Sequence, residues 1–456
     1  MGMMAISLIQ KYNVPGPRYT SYPTVPYWDE KKFSLEEWKK NLVLSFNESN
    51  KTEGISLYIH LPFCESLCTF CGCHKRITKR HEVENPYIEA VLKEWQLYCN
   101  LFDSKPVIKE IHLGGGTPTF FSPKNLEQLI NGIISKAEIA EMHEFSFEGH
   151  PNNTTRAHLQ SLYNLGFRRV SFGVQDYSET VQNAIHRIQP FHQVAKVTFW
   201  AKEIGYTSIS HDLVYGLPFQ KVEDIIDTIE KTKSLQPNRI SFYSYAHVPW
   251  IKGNGQRGFN DEDVPRDNEK RELYEVGKML LLKNGYYEIG MDHFATADDS
   301  MYVAFKNKRL HRNFMGYTAS KTQVMIGLGV SSISDSWYSF AQNEKNLEDY
   351  YDKINSEEIP VTKGHLLTKE DLIIRKHILN IMCHFETNWD NGLYFEEIYD
   401  VLENLEEMIV DGLVDITNTC LKVTEKGKPF VRNICMAFDL RLKRNIPNKQ
   451  VFSLTI

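Results

Sequence analysis

The stretch "YIHLPFCESLCTFCGC" (58–73) runs from a β-rich segment into a loop holding four of the chain's eight cysteines. Cys64, Cys68 and Cys71 are spaced C-x3-C-x2-C, and Cys73 follows two residues later. Five more β-rich runs follow it: "VIKEIHLGGG", "HEFSFEGHP", "RRVSFGVQ", "SISHDLVYGLP" and "RISFYSYAHVP". Segments of helical periodicity, such as "NPYIEAVLKEWQLYCNLF" and "SPKNLEQLINGIISKAEI", lie between most of them. Strands alternating with helices predict a parallel sheet, open or curled into a barrel. Each run ends on polar or glycine positions: the cysteines, "GGGTPT" (114–119), Glu148, Gln175, Asp212 and "YAH" (245–247). Singly these read as ordinary loop residues. Six strand ends in register gather them at one mouth, where parallel α/β sheets carry their chemistry.

The flanks read differently. Residues 1–52 form a Pro- and Tyr-rich arm followed by a helix, "SLEEWKKNLVLSFNE". Within 53–345, a helix, the strand-like "YYEIGMDHFA" and two glycine-marked loops, "HRNFMGYT" and "MIGLGVSSIS", extend or cover the barrel. Residues 346–456 predict helices and a hairpin, "LVDITNTCLKVTEKG", a winged-helix-like pattern. Its Glu and Asp content favours packing or a substrate lid over DNA binding.

A composition of 42% apolar, 24% charged and 12% aromatic residues excludes disordered and fibrous classes. A net charge of -6 gives no general attraction to nucleic acid or anionic membrane, though local cations suffice for an acidic small molecule. The N-terminal apolar run is too short for a secretion signal and no stretch approaches transmembrane length, so a cytoplasmic protein is expected. The clustered thiols then read as metal or redox chemistry and not as disulfides. Structural zinc draws on two separated cysteine pairs, whereas here all four lie in one loop, which leaves zinc the lesser alternative. Three thiolates within eight residues suit three irons of a [4Fe-4S] cubane and leave the fourth iron open to a small chelating ligand.

The motif C-x3-C-x2-C with Phe70 before its last cysteine, followed on the next strand by the triple glycine, resembles the signature of radical S-adenosylmethionine (SAM) enzymes. With "GPRYTSYPT", "GVQD", "DLVYGLP", "GMDHFA", "HRNFMGYT" and "VRNICMAFD", residues 11 to 445 resemble the oxygen-independent coproporphyrinogen III dehydrogenase family. The resemblance implies a (β/α)6 partial barrel with an N-terminal arm and a mostly helical, winged-helix-like C-terminal domain. It implies Cys64, Cys68 and Cys71 as cluster ligands and two bound SAM molecules. Tyr58, Gly115, Glu148, Ala246 and Ile333 match positions around the first SAM. Phe70, Gly116, Thr117, Gln175, Arg187 and Asp212 match positions around the second. Tyr58 and Cys73 are expected at the chemistry, Cys73 in a role left undefined.

The implied reaction takes a hydrogen atom from the β-carbon of a substrate propionate by way of a 5′-deoxyadenosyl radical. Loss of CO2 and an electron leaves a vinyl group, and a second round converts coproporphyrinogen III to protoporphyrinogen IX. The implied partners are that substrate and an electron donor, with no nucleic acid or membrane, acting on a monomer. A haem-binding or haem-delivery protein on the same scaffold is the alternative; Cys73 and the Tyr-rich arm weigh against it. His150 stands where the family often has an acidic or amide residue, which predicts tuned surroundings for Glu148. Arg18, Arg257, Arg309 and Arg312 are the cations offered for the substrate propionates. Tyr19 and Tyr22 either close over the substrate or simply pack.

Overall fold

The computed structural model describes residues 8–248, 256, 258–389, 393, 396 and 398–455. All six β-rich runs are strands: β1 (Ile55–Leu61), β2 (Val107–Gly115), β3 (Glu138–Gly149), β4 (Phe167–Gln175), β5 (Ser208–Tyr215) and β6 (Arg239–Ser244). They pair in chain order, every neighbour parallel. A parallel pair needs a long crossover. Helices supply it: α1 (Leu35–Ser49) precedes β1, and α2 (Glu84–Cys99), α3 (Pro123–Ile134), α4 (Arg156–Asn164), α5 (Phe191–Ile204) and α6 (Val222–Leu235) lie between successive strands. Several starts are locally encoded. The side chains of Ser34, Ser122 and Thr155 accept the N–H of Glu37, Asn125 and His158 and so cap α1, α3 and α4.

Period-two alternation decides which face is which. Ile55, Leu57, Ile59, Ile111, Leu113, Phe145, Phe147, Val170 and Phe172 share one core with helical Trp38, Trp95, Leu126 and Leu159. The residues between them are polar and face the inside of the curl, where they bond across strands. Ser56 Oγ donates to Glu110 at 2.9 Å, His112 meets Ser146 at 2.8 Å, and Ser171 donates to Asp212 at 2.6 Å. The barrel interior is therefore polar, and the hydrophobic core lies outside it, under the helices.

The sheet is larger than six strands. Helix α7 (Asp267–Lys283) leads to β7 (Tyr287–Ile289) and β8 (His293–Ala295). Then come β9 (Val324–Leu328), β10 (Ile333–Asp335), β11 (Ser339–Asn343) and β12 (Val361–Leu366). The order is β12-β11-β10-β9-β1-β2-β3-β4-β5-β6-β8-β7, with β9 parallel to β1. "MIGLGVSSIS", expected as a loop, is thus largely β9, a turn and β10. The other expected loop, "HRNFMGYT", is a hairpin of His311–Asn313 and Gly316–Thr318 with Phe314 and Met315 at its tip. Residues beyond 345, expected in the C-terminal unit, include β12, which closes the sheet edge by pairing with β11.

Helix α8 (Lys369–His384) and the strands Glu386–Asn388, Val414–Ile416 and Cys420–Val423 form the C-terminal module, whose last two strands are the expected hairpin. Its core takes in Tyr12, Tyr19 and Tyr22 of the N-terminal arm. Tyr19 and Tyr22 are 2% and 1% exposed, and Tyr19 donates to Asp439 at 3.1 Å. Of the two expected roles, they take packing, at roughly 1.5–3 kcal/mol per buried side chain. Among the described residues no helix is long and apolar enough to cross a membrane.

Candidate active site at the barrel mouth

β1 leaves the barrel at Leu61, yet the end of β2 follows it outward. Gly116 N–H donates to Leu61 O at 2.8 Å and Thr117 N–H to Phe63 O at 3.0 Å. A Cβ on Gly116 would sit 2.6 Å from the Pro62 carbonyl, and one on Gly115, whose φ is +112°, 2.6 Å from the His60 ring. These glycines are required by the close approach of the chain entering the cysteine loop. That loop is tied down along its length: Thr78 N–H donates to Cys64 O at 2.9 Å, Thr69 N–H to Ile185 O at 3.0 Å, and Lys75 Nζ to Cys71 O at 3.0 Å.

Two cavities flank the loop. The larger, about 710 Å³, is lined by Tyr58, Cys73, Gly115, Glu148 and Ile333, with Lys75, Lys345 and Phe314. The smaller, about 210 Å³, is lined by Cys64, Cys68, Phe70, Gly116, Thr117, His150 and Arg187. Cys71 and Lys75 line both, so the cysteine loop is their shared wall. The two expected groups of SAM residues thus fall mostly on opposite sides of it. Three positions line neither cavity. Gln175 ends β4 at φ +68°, Asp212 accepts Ser171 Oγ inside the barrel, and the Ala246 carbonyl accepts Gln256 Nε2 at 3.0 Å.

The large cavity is held by a chain of hydrogen bonds. His60 Nε2 lies 2.9 Å from the His74 carbonyl, which only accepts, so Nε2 carries the hydrogen. Nδ1 is then the acceptor for the Tyr58 hydroxyl at 3.1 Å. Burial pushes the His60 imidazole down to about 4, consistent with this neutral form. The Tyr58 ring stacks on His112, at 6.1 Å between centroids. His112 meets Ser146 through Nδ1 and Glu148 through Nε2, at 2.8 and 3.3 Å, which steers a carboxylate still 46% exposed. Burial, then Glu148 and Cys73, raises the Tyr58 phenol well above its ordinary value and keeps it a donor.

The sulfurs differ among themselves. Burial pushes the Cys64 thiol up to about 11, with Thr117 Oγ1 3.3 Å away. The hydrogen bond with Cys73, aided by Lys75 and Arg187, pulls Cys71 below the ordinary thiol range, and the same contact raises Cys73. Arg187 Nη1 lies 3.7 Å from Cys68 Sγ and Nη2 donates to Gly173 O at 2.7 Å. Its buried Nε has no partner among the described residues. His150 is held neutral by burial, with the Arg187 charge adding to the effect.

No three of the described His, Cys, Asp or Glu side chains converge on one metal ion, as a structural zinc site requires. A cubane instead places each thiolate on a different iron, so its ligands stand apart around one face. Three cysteines around a cavity, with a free guanidinium N–H and a glycine in its wall, fit that polynuclear group.

Residues 58–232 match the Radical SAM superfamily, which is the class this barrel and site define. The oxygen-independent coproporphyrinogen III oxidases of Synechocystis sp. and Escherichia coli K12 are each 36% identical to this chain, over 98% of it and 97% of their own length. That of Helicobacter pylori 26695 is 37% identical over 95% and 96%. The solved coproporphyrinogen III oxidase of Escherichia coli, described as a radical SAM enzyme, aligns with a TM-score of 0.88 at 34% identity, covering 95% of this chain and 98% of its own. The chain belongs to the oxygen-independent coproporphyrinogen III oxidase family.

Sequence reasoning missed His112, Lys75 and Lys345, and weighed His60 only as an added zinc ligand. The two histidines were readable as inward positions of β1 and β2, whereas nothing local marks Lys345. Of the arginines it offered, Arg18, Arg309 and Arg312 do not line the large cavity. Arg312 is 5% exposed and donates to the carbonyls of Arg18 and Tyr19. Arg18 donates to Ser244 O, Arg309 lines a separate cavity, and Arg257 lies outside the described residues.

Proposed function

We propose that this chain carries out the oxygen-independent oxidative decarboxylation of two propionates of coproporphyrinogen III to vinyl groups, giving protoporphyrinogen IX for porphyrin and haem biosynthesis. The observation that carries this reading is the single wall, Cys71 with Lys75, shared by a three-cysteine pocket and a cavity of about 710 Å³. A [4Fe-4S] cluster with SAM supplies a 5′-deoxyadenosyl radical when bound. Cys64, Cys68 and Cys71 would hold three of its irons, and SAM would bind where the protein offers no fourth thiolate.

In this reading Tyr58, Gly115, Glu148, Ala246 and Ile333 surround that SAM. Glu148, steered by His112, accepts hydrogen bonds from ribose hydroxyls or the amine. Phe70, Gly116, Thr117, Gln175, Arg187 and Asp212 would surround a second SAM, with the Arg187 guanidinium suited to clamp its carboxylate. Cys73 and Tyr58 face the substrate, Tyr58 as a neutral hydroxyl. The walls orient the reactants and hold the substrate carbon against the reactive centre. The reading includes a one-electron donor, a monomeric enzyme and an anaerobic, reducing cytoplasm.

The test is anaerobic reconstitution with iron and sulfide, then incubation with SAM, reductant and coproporphyrinogen III. Two vinyl groups per porphyrinogen are expected. Stoichiometric haem retention without turnover would replace this reading with haem delivery, and zinc as the only bound metal would overturn both.

A further inference from the structure

We propose that Lys75 and Lys345 seat the two propionates that become vinyl groups, Lys75 holding the one about to react and Lys345 its neighbour. The inference rests on the function proposed above. A porphyrinogen with four propionates brings carboxylates into a cavity, and an unpaired carboxylate there is costly. A chain of net charge -6 must therefore offer local cations.

Two of the candidate arginines are engaged elsewhere: Arg312 stacks on Tyr317 at 4.4 Å and donates to backbone carbonyls, and Arg309 lines another cavity. The lysines lining the large cavity are Lys75 and Lys345. Lys75 Nζ donates to Cys71 O at 3.0 Å and to Cys73 O at 3.3 Å. An ammonium has three hydrogens, so one stays available to a ligand. Because Lys75 lines both cavities, that hydrogen belongs to the wall where radical cofactor and substrate meet.

Lys345 lies on the turn after β11, is exposed, and has no ion-pair partner among the described residues. His74 of the cysteine loop lines the same cavity as Lys345. The one carboxylate in the lining, Glu148, is already steered by His112. Phe314 and Met315, at the hairpin tip, supply apolar surface for the macrocycle. A hydrophobic tip facing two lysines matches a flat apolar ring with carboxylates at its edge.

The test uses reconstituted holoenzyme without SAM, titrated with coproporphyrin III, the oxidised ring that is not turned over, and with protoporphyrin IX, in which the two propionates are already vinyls. K345Q is expected to weaken coproporphyrin III binding about tenfold, the scale of one lost charge-assisted contact. K345R should restore it, and affinity for protoporphyrin IX should not change. Iron content and cluster absorbance report folding, and they are read alongside K75Q because Lys75 also ties down the cysteine loop. Equal weakening for both porphyrins, or none for coproporphyrin III, overturns the inference while leaving the proposed reaction standing. If the wild-type protein binds neither porphyrin and forms no vinyl groups, the proposed function falls and this inference with it.

Discussion

Two ends of one barrel use inward-facing polar residues in opposite ways. At the N-terminal end most of them pair with one another, although Arg239 Nη1 has no partner among the described residues. Arg239 and Asp299, with side chains 3% and 1% exposed, pair at 2.6 Å, and Asp299 also accepts Ser208 Oγ at 2.8 Å. Arg169 pairs with Glu144, and Glu110 accepts from Ser56 and Thr318. At the C-terminal mouth the pairing is incomplete. Glu148 is half exposed with one imidazole partner, the buried Arg187 Nε has none among the described residues, and Lys345 stands free of ion pairs among them. A buried polar group without a partner is destabilising, so the Arg187 Nε–H marks a place for a ligand, whereas Glu148 and Lys345 keep water as a partner. The sealed end belongs to stability, the open end to chemistry.

The largest way to break this comparison is at the cysteines. Cys71→Ala is expected to lose most of the cluster iron and all vinyl formation after reconstitution, whereas Cys73→Ser keeps normal iron and loses only decarboxylation. Equal iron loss in both would show that Cys73 is a ligand. Next, Arg239→Met strands Asp299 in the sealed end and should cost about 3–5 kcal/mol, read as a lower denaturant midpoint. Glu148→Gln at the mouth should stay within about 0.5 kcal/mol while slowing SAM cleavage. Comparable destabilisation by the two variants would erase the distinction.

Gly115→Ala should cost about 1–3 kcal/mol, because φ +112° and the His60 ring both exclude a Cβ. Thermal melting of the variant before cluster assembly measures it, and an unchanged melting temperature would mean that the ring moves aside.

The smallest effect is pH-dependent and belongs to another sealed carboxylate, Asp371. Burial would raise its pKa, but hydrogen bonds from His365, Arg441 and the Thr368 N–H outweigh it and hold it well below the usual carboxylate range. A depressed folded-state pKa adds stability that is present above the unfolded value, about 4, and is lost as pH falls below it. The stability gap between the wild type and Asp371→Asn should therefore be widest at neutral pH and narrow towards pH 3. A gap that ignores pH would assign it to packing.

Strands β1 to β6 were legible because alternation and terminal glycines or polar residues lie within each run. β9 was not: all five of its residues are buried between β1 and β10, so its apolar run carries no alternation and its glycines read as a loop. The pairing of β12 with β11 across the expected boundary at residue 345 leaves no mark in either segment. The sequence left Tyr19 and Tyr22 between lid and core, since an aromatic arm has the same composition whether it covers a mouth or fills a core.

The grouping of Cys64, Cys68 and Cys71 was determined by sequence alone, because seven intervening bonds of chain hold those thiols together in any compact loop. So were the parallel order of β1 to β6 and the glycines that crowd the cysteine loop. Only the tertiary structure decided that Lys345 meets Lys75 at one cavity, that Arg312 props the arm, and that the cysteine loop divides two chambers. Spacing and periodicity act within a few residues, whereas these contacts depend on complementary surfaces brought together from distant parts of the chain.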